Sequence, residues 1–241
     1  MYNAKAVKPD LLIVKNSAPV GPGLIERVLA EHDITYDTVD VSQGQALPPF
    51  ADYRAVIVLG GPVSANDPKL TAELAQIKSA VDRGIPFLGV CLGLQLLVKA
   101  AGGRVVPAAR AEAGFFDASG RPFVVQPTLE GLADPLFAGL SDSMQVLQSH
   151  ADTVELGPNM QLLATSQNCP NQVVKVGVNA YGIQSHFELT EPMLHAWAEE
   201  LPLLQPIGAE KLLDTFARQR ATYTIAGLAL FRNFLGIAGF V

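Results

Sequence analysis

The chain has 241 residues, 49% hydrophobic and 17% charged. That is too apolar for a disordered chain and long enough to bury a sizeable core. Seventeen Lys and Arg against 23 Asp and Glu give a net charge of −6 without a basic stripe or tail, which argues against a nucleic-acid or acidic-membrane partner. The longest uncharged apolar-rich stretch, Gly84 to Val98, is 15 residues long and contains three glycines and a proline, short of the roughly 20 that a spanning helix needs. The N-terminal MYNAKAVKPD has no apolar core before Asp10 and does not read as a secretory signal. Two cysteines, Cys91 and Cys169, are too few for a disulfide scaffold, so the expectation is a cytoplasmic chain with reduced thiols.

Asp10 to Asn16 reads as a buried strand. Pro22 opens a helix with Leu24, Ile25, Val28 and Leu29 on one face, and Ile34 to Asp40 alternates as a strand does. Arg54 to Gly61 is a third strand running into a glycine pair. Asp67-Pro68 caps a helix carrying Leu70, Leu74, Ile77 and Val81, which Gly84 ends. Ile85 to Val90 is a fourth strand, followed by a helix that stops at Gly102-Gly103. Apolar strands alternating with helices predict a doubly wound α/β fold, its mostly parallel sheet covered on both faces and its ligands at the carboxyl ends of the strands.

From Arg104 to Tyr181 the pattern changes. Short strands are predicted at Pro122–Val125, Met144–Leu147, Gln161–Thr165, Gln172–Val176 and Ala180–Gln184, as an antiparallel extension of the sheet. From Thr190 the pattern is helical again, with Trp197 and Leu201 four apart and Ile225, Leu228, Phe231 and Leu235 as one stripe. Residues 1–190 are expected to form the α/β domain and 191–241 a helical extension packed on it.

The segment Phe87-Leu88-Gly89-Val90-Cys91-Leu92-Gly93 places a cysteine between glycines where a strand becomes a helix. This is the nucleophile-elbow pattern G-x-C-x-G. A tight turn would thrust the thiol out above the sheet, at a helix N-terminus that favours negative charge, with the Leu92 N–H beside it as an oxyanion donor. A small cysteine buried in a glycine-bounded turn is the competing reading. A base is required. His32 and His195 lie on helices and read as surface or packing residues, whereas His150 and His186 lie in loops or at strand ends. Glu188 follows His186 by two residues, so in extended chain both project to one face. Leu59-Gly60-Gly61-Pro62, at the end of the neighbouring strand, offers backbone amides for a second oxyanion donor.

GVCLGLQLL, the earlier LGGP and the later QSHFE together resemble the class I, or triad-type, glutamine amidotransferase family, over roughly Asp10 to Glu191 and in the family's order. The stretch NCPNQVVKVGVNAYGIQSHFE is similar to stand-alone proteins that resemble the amidotransferase domain of GMP synthase. The resemblance implies a flavodoxin-like sheet, with Cys91 as nucleophile, His186 as general base and acid, and Glu188 as its orienting carboxylate. It further implies an oxyanion hole from the amides of Gly61 and Leu92, and a glutamine pocket bordered by Gly60, Gln95, Ser149 and His150. Phe187 stands where the family commonly has proline, Ser185 where an aromatic often precedes the histidine, and Ala151 where the S-H-G-D segment has glycine. These departures bear on pocket shape.

The implied chemistry is hydrolysis of glutamine through a γ-glutamyl thioester on Cys91, needing no cofactor. The chain shows no His/Cys/Asp cluster at metal-ligand spacing, so no metal is expected. It has no G-x-x-x-x-G-K-[ST] and no G-x-G-x-x-G after a strand. Three readings therefore stand: a glutaminase feeding a separate synthetase partner, a free hydrolase of γ-glutamyl amides or peptides, or a non-catalytic member that binds a metabolite or a protein. Cys169 in N-C-P-N reads as a loop thiol, Trp197 as packing, and Glu112 and Asp117 as flanking an irregular stretch. Asp152 either caps a turn or holds His150.

Overall fold

The computed structural model describes residues 9–241; the N-terminal segment, read above for a signal, lies outside them except for its last two residues. Seven elements alternate first: β1 (Leu11–Lys15), α1 (Leu24–Glu31), β2 (Tyr36–Asp40), β3 (Ala55–Val58), α2 (Thr71–Asp82), β4 (Phe87–Val90) and α3 (Leu92–Ala100). There follow β5 (Arg104–Gly114), β6 (Val124–Pro127), α4 (Leu129–Ala133), β7 (Met144–Gln145), β8 (Gln148–Glu155), β9 (Met160–Thr165), β10 (Val173–Val176) and β11 (Ala180–Ile183). Helices α5 (Glu191–Glu200) and α6 (Ala209–Ile237) come last.

Nine strands form one sheet in the order β2-β1-β3-β4-β11-β10-β9-β6-β7. The strands from β2 to β11 pair in parallel, and those from β10 onward are antiparallel. The apolar strands supply both faces. Leu11, Ile13, Ala55 and Ile57 face α1, α5 and α6, whereas Leu12, Val14, Val56 and Val58 face α2 and α3. Alternation of side chains along each strand thus feeds two cores, the doubly wound α/β arrangement expected from the alternating pattern.

Strands β5 and β8 form a separate antiparallel ribbon that the sequence did not signal. Glu112 lies in β5, opposite His150 of β8, directly after the register shift that separates it from Pro107. The pattern was hidden because β5 carries Pro107 and a run of alanines where alternating bulky apolar residues would mark a strand.

The helical stripe also needs correction. Leu228, Phe231 and Leu235 are buried, but Ile225 is 68% exposed. At 100° per residue, Ile225 falls on nearly the opposite side of α6 from Phe216, Tyr223, Leu230 and Phe234, which fix the buried face. Helix α5 stops at Glu200, and Leu201 is its C-cap, its N–H donating to the Trp197 carbonyl at 2.9 Å. No helix among the described residues is long and apolar enough to cross a membrane.

Exposure separates two substitutions on α6. Ile225→Lys is expected to change stability by no more than about 0.5 kcal/mol. Phe231→Ala, which empties a buried site, is expected to lose about 3–5 kcal/mol. Equilibrium denaturant unfolding of both variants checks the assignment of the buried face.

Candidate active site

Strand β4 is fully buried and ends at Val90, and α3 starts at Leu92. Cys91 alone makes the turn, with φ 53° and ψ −103°, a conformation costly for a residue with a Cβ. The Cys91 N–H donates to the Ile183 carbonyl at 2.7 Å, which ties the turn to β11. The flanking glycines are needed for close approach. A Cβ on Gly89 would strike the backbone of Gly93, and one on Gly93 would strike the Val58 carbonyl. Helix α3 therefore sits directly on the sheet, with its positive end at the sulfur. Cys91 is only 6% exposed, yet it lines a cavity of about 340 Å³.

Beyond β11 the chain leaves the sheet and brings His186 over the same turn. Its Nδ1 lies 2.7 Å from Glu188 Oε1, and Glu188 Oε2 accepts the Phe187 N–H at 2.9 Å. That contact directs the other ring nitrogen away from Glu188. Gly60 makes room on the far side: a Cβ there would sit 3.3 Å from His186 Cε1 and 3.4 Å from Cys91 Cβ. The edge of Trp197 packs on the imidazole with centroids 4.8 Å apart, and Tyr223 Oη donates to the His186 carbonyl at 2.7 Å. Burial pushes the His186 pKa down, but the Glu188 carboxylate and a hydrogen bond with Cys91 outweigh it and raise it to about 10. His186 is thus held as an imidazolium through neutral pH.

The remaining sequence-predicted residues fall around this centre. Gly61, Gln95, Ser149 and His150 line the cavity. The Ser149 carbonyl lies 3.7 Å from Cys91 Sγ, and Gln95 Nε2 donates to the Asp152 carbonyl at 3.2 Å. Leu92 follows the sulfur as the first residue of α3, its side chain buried on the α2–α3 side of the sheet. His150 is within β8 rather than in a loop, with Nε2 2.8 Å from Glu112 Oε2 and Nδ1 3.0 Å from the Asp152 carbonyl. Asp152 therefore meets His150 through its backbone, while its carboxylate accepts from Ser64 Oγ at 2.9 Å.

Three contributors carry no sequence signal of their own. Gln184, fully buried, directs Nε2 at Cys91 Sγ from 3.6 Å and accepts from Gln95 at 3.3 Å. Asn16 packs under Gly61 and donates to Glu73 Oε1 at 3.1 Å, joining the glycine loop to α2. Burial raises the Glu73 carboxyl pKa. A third grouping, Glu112, His150 and Cys169, brings donor atoms within 4.8 Å of one another, a cluster that spacing along the chain did not reveal. These are the side chains that could hold a metal, although both nitrogens of His150 already have oxygen partners.

The arrangement brings a thiol, a buried imidazole, a carboxylate and a pocket with polar lining together at the end of β4. The model of the class I glutamine amidotransferase family matches residues 23–193. A GMP synthase (glutamine-hydrolysing) from Thermomicrobium roseum is 37% identical over 164 residues, covering 67% of this chain and 27% of that protein. A glutamine amidotransferase-like protein from Salmonella typhimurium is 34% identical over 158 residues, covering 62% of this chain and 63% of that one. The chain thus spans less than two thirds of the length of either relative. Among solved structures, a glutamine amidotransferase from Methylobacillus flagellatus superimposes with a TM-score of 0.82 at 26% identity, covering 96% of both chains. One from Thermotoga maritima gives 0.81 at 26% identity, covering 93% of this chain and 97% of that one.

The two thiols are expected to differ in reactivity. Cys169 is buried, and burial together with the nearby Glu112 carboxylate raises its pKa, whereas Cys91 borders the cavity beside an imidazolium. Iodoacetamide at pH 7 is expected to modify Cys91 at least about tenfold faster than Cys169, and His186→Asn to slow the Cys91 reaction. Peptide mass spectrometry over time reads both rates.

Proposed function

We propose that this chain, which belongs to the class I glutamine amidotransferase family, hydrolyses the side-chain amide of glutamine through a γ-glutamyl thioester on Cys91. The observation that carries the reading is the meeting, at the carboxyl end of β4, of a positive-φ cysteine with a buried His–Glu pair. Cys91 Sγ attacks the amide carbon, forming the S–C bond. The Gly61 and Leu92 amides receive the charge that develops on oxygen, each such donor contributing about 2.7–4 kcal/mol to lowering the barrier. As the C–N bond breaks, His186 gives its proton to nitrogen and ammonia leaves. Water then attacks the thioester, its proton passing to His186, and glutamate departs as the S–C bond breaks. Glu188 keeps the imidazole in one tautomer and orientation. Ser149 and His150 hold the amino-acid end of the substrate, Gln95 lines its pocket, and Gly60 leaves room for it beside His186 and Cys91.

Transfer of the ammonia to a separate synthetase is a further part of this reading. It is supported by similarity to GMP synthases, of which this chain spans about a quarter. A non-catalytic role is disfavoured because the cysteine, histidine and glutamate are all present and in contact range.

Three measurements test the proposal. A diazo-ketone analogue of glutamine is expected to form an adduct on Cys91, read by mass spectrometry; an adduct on Cys169 instead, or none, sinks it. Glu188→Gln is expected to retain the fold, checked by circular dichroism, while lowering kcat/KM by about 10²–10⁴-fold, because the tautomer lock is lost. The acid form of His186 persists to about pH 10, so acylation is expected to decline as pH rises through that value. A decline centred near 6.5 would show that Glu188 and Cys91 do not hold the proton on this ring.

A further inference from the structure

The cavity beside Cys91 has two chemically different sides. Gln95, Ser149, His150 and Asp152 make one polar. The other is built by Val20, Val63, Trp197, Leu201, Pro202 and Leu203. Four of these six lie beyond residue 193, where the match to the family model ends. Val20 and Trp197 are buried in the core, whereas Leu201 and Leu203 are half-buried and Val63 and Pro202 exposed, so the accessible part of this wall is Val63, Leu201, Pro202 and Leu203. The indole N–H of Trp197 is taken up by the Pro19 carbonyl at 2.9 Å, so this buried residue offers the cavity no free donor.

The position of this wall relative to the reacting atoms matters. His186 is the proton donor to the departing nitrogen, and Trp197 stands against His186. A substituent on that nitrogen therefore leaves along the apolar side. Ammonia carries no carbon with which to cover it, and an apolar wall in water is unfavourable until something apolar displaces the water.

We infer that the site takes γ-glutamyl amides whose nitrogen bears an apolar or aromatic group, with that group lying on Val63, Leu201 and Leu203. This rests on the acyl-transfer reading of Cys91 and His186. Atoms balance as for glutamine: the S–C bond forms, the C–N bond breaks, the amine leaves with the proton of His186, and water cleaves the thioester to glutamate.

The test is glutamate release by the purified full chain from glutamine, γ-glutamylanilide and γ-glutamylglycine, the last carrying a polar substituent. The anilide is expected to exceed both others in kcat/KM by about tenfold, the scale on which an apolar pocket discriminates. Leu203→Asp and Val63→Thr, each checked for an unchanged melt, are expected to lower the anilide-to-glutamine ratio several-fold. Cys91-dependent hydrolysis of glutamine with the anilide no better than the glycine compound overturns this substrate class and leaves the acyl-transfer reading standing. A ratio unmoved in both variants overturns the role of the wall. No Cys91-dependent glutamate from any of the three compounds overturns the acyl-transfer reading and this inference with it.

Discussion

At residue 91 the backbone passes from a buried parallel strand into a helix in a single residue, at φ 53°. Such a turn persists only if its surroundings over-determine it. Here they do: the Cys91 N–H is bound by Ile183, Gly89 abuts Gly93, and Gly93 abuts Val58. The same contacts fix three neighbouring strands and α3 relative to one sulfur atom. Loosening any of them would move the sulfur with respect to every group around it.

A second constraint is electrostatic. Glu188 is wholly buried, and burying a carboxylate is costly unless it is paired and hydrogen-bonded. The His186 ring and the Phe187 N–H supply those partners. The pair is therefore coupled to the fold as much as to chemistry: the charge that keeps the imidazole protonated is tolerable only because the imidazole is there. Phe187, at a position where proline is common in the family it resembles, keeps an N–H that Glu188 uses.

The C-terminal helices bind these two constraints together. Trp197 on α5 packs on the imidazole, and Tyr223 on α6 holds the His186 carbonyl while accepting the Leu189 N–H. Gly227 lets α6 lie against the Phe187 carbonyl, where a Cβ would clash. Residues beyond the family match thus both brace the histidine and shape the mouth of the cavity.

Local pattern was enough to read the parallel half of the sheet, because β1, β3 and β4 are buried on both faces and appear as continuous apolar runs. The elbow was legible for a similar reason: its turn demands glycines two residues either side of the cysteine, and that demand is written in consecutive positions. The His186–Glu188 pair was legible because both residues lie on one short segment. The ribbon of β5 and β8, the hydrogen-bonded Glu112 and His150, the Gln184 amide beside the sulfur and the Asn16–Glu73 support beneath Gly61 were not. Each joins residues far apart in the chain whose side chains are polar, so neither periodicity nor spacing marks them. For Ile225 an apolar residue was assigned to the buried face by spacing to its nearest apolar neighbours, whereas the face is set by what α6 packs against. The sequence by itself determined the parallel half of the sheet, the single-residue turn that carries Cys91, and the neighbouring pair of His186 and Glu188. The tertiary structure decided which distant polar groups surround that thiol and which apolar side chains close the cavity, because those contacts exist only once the strands and the last two helices are packed.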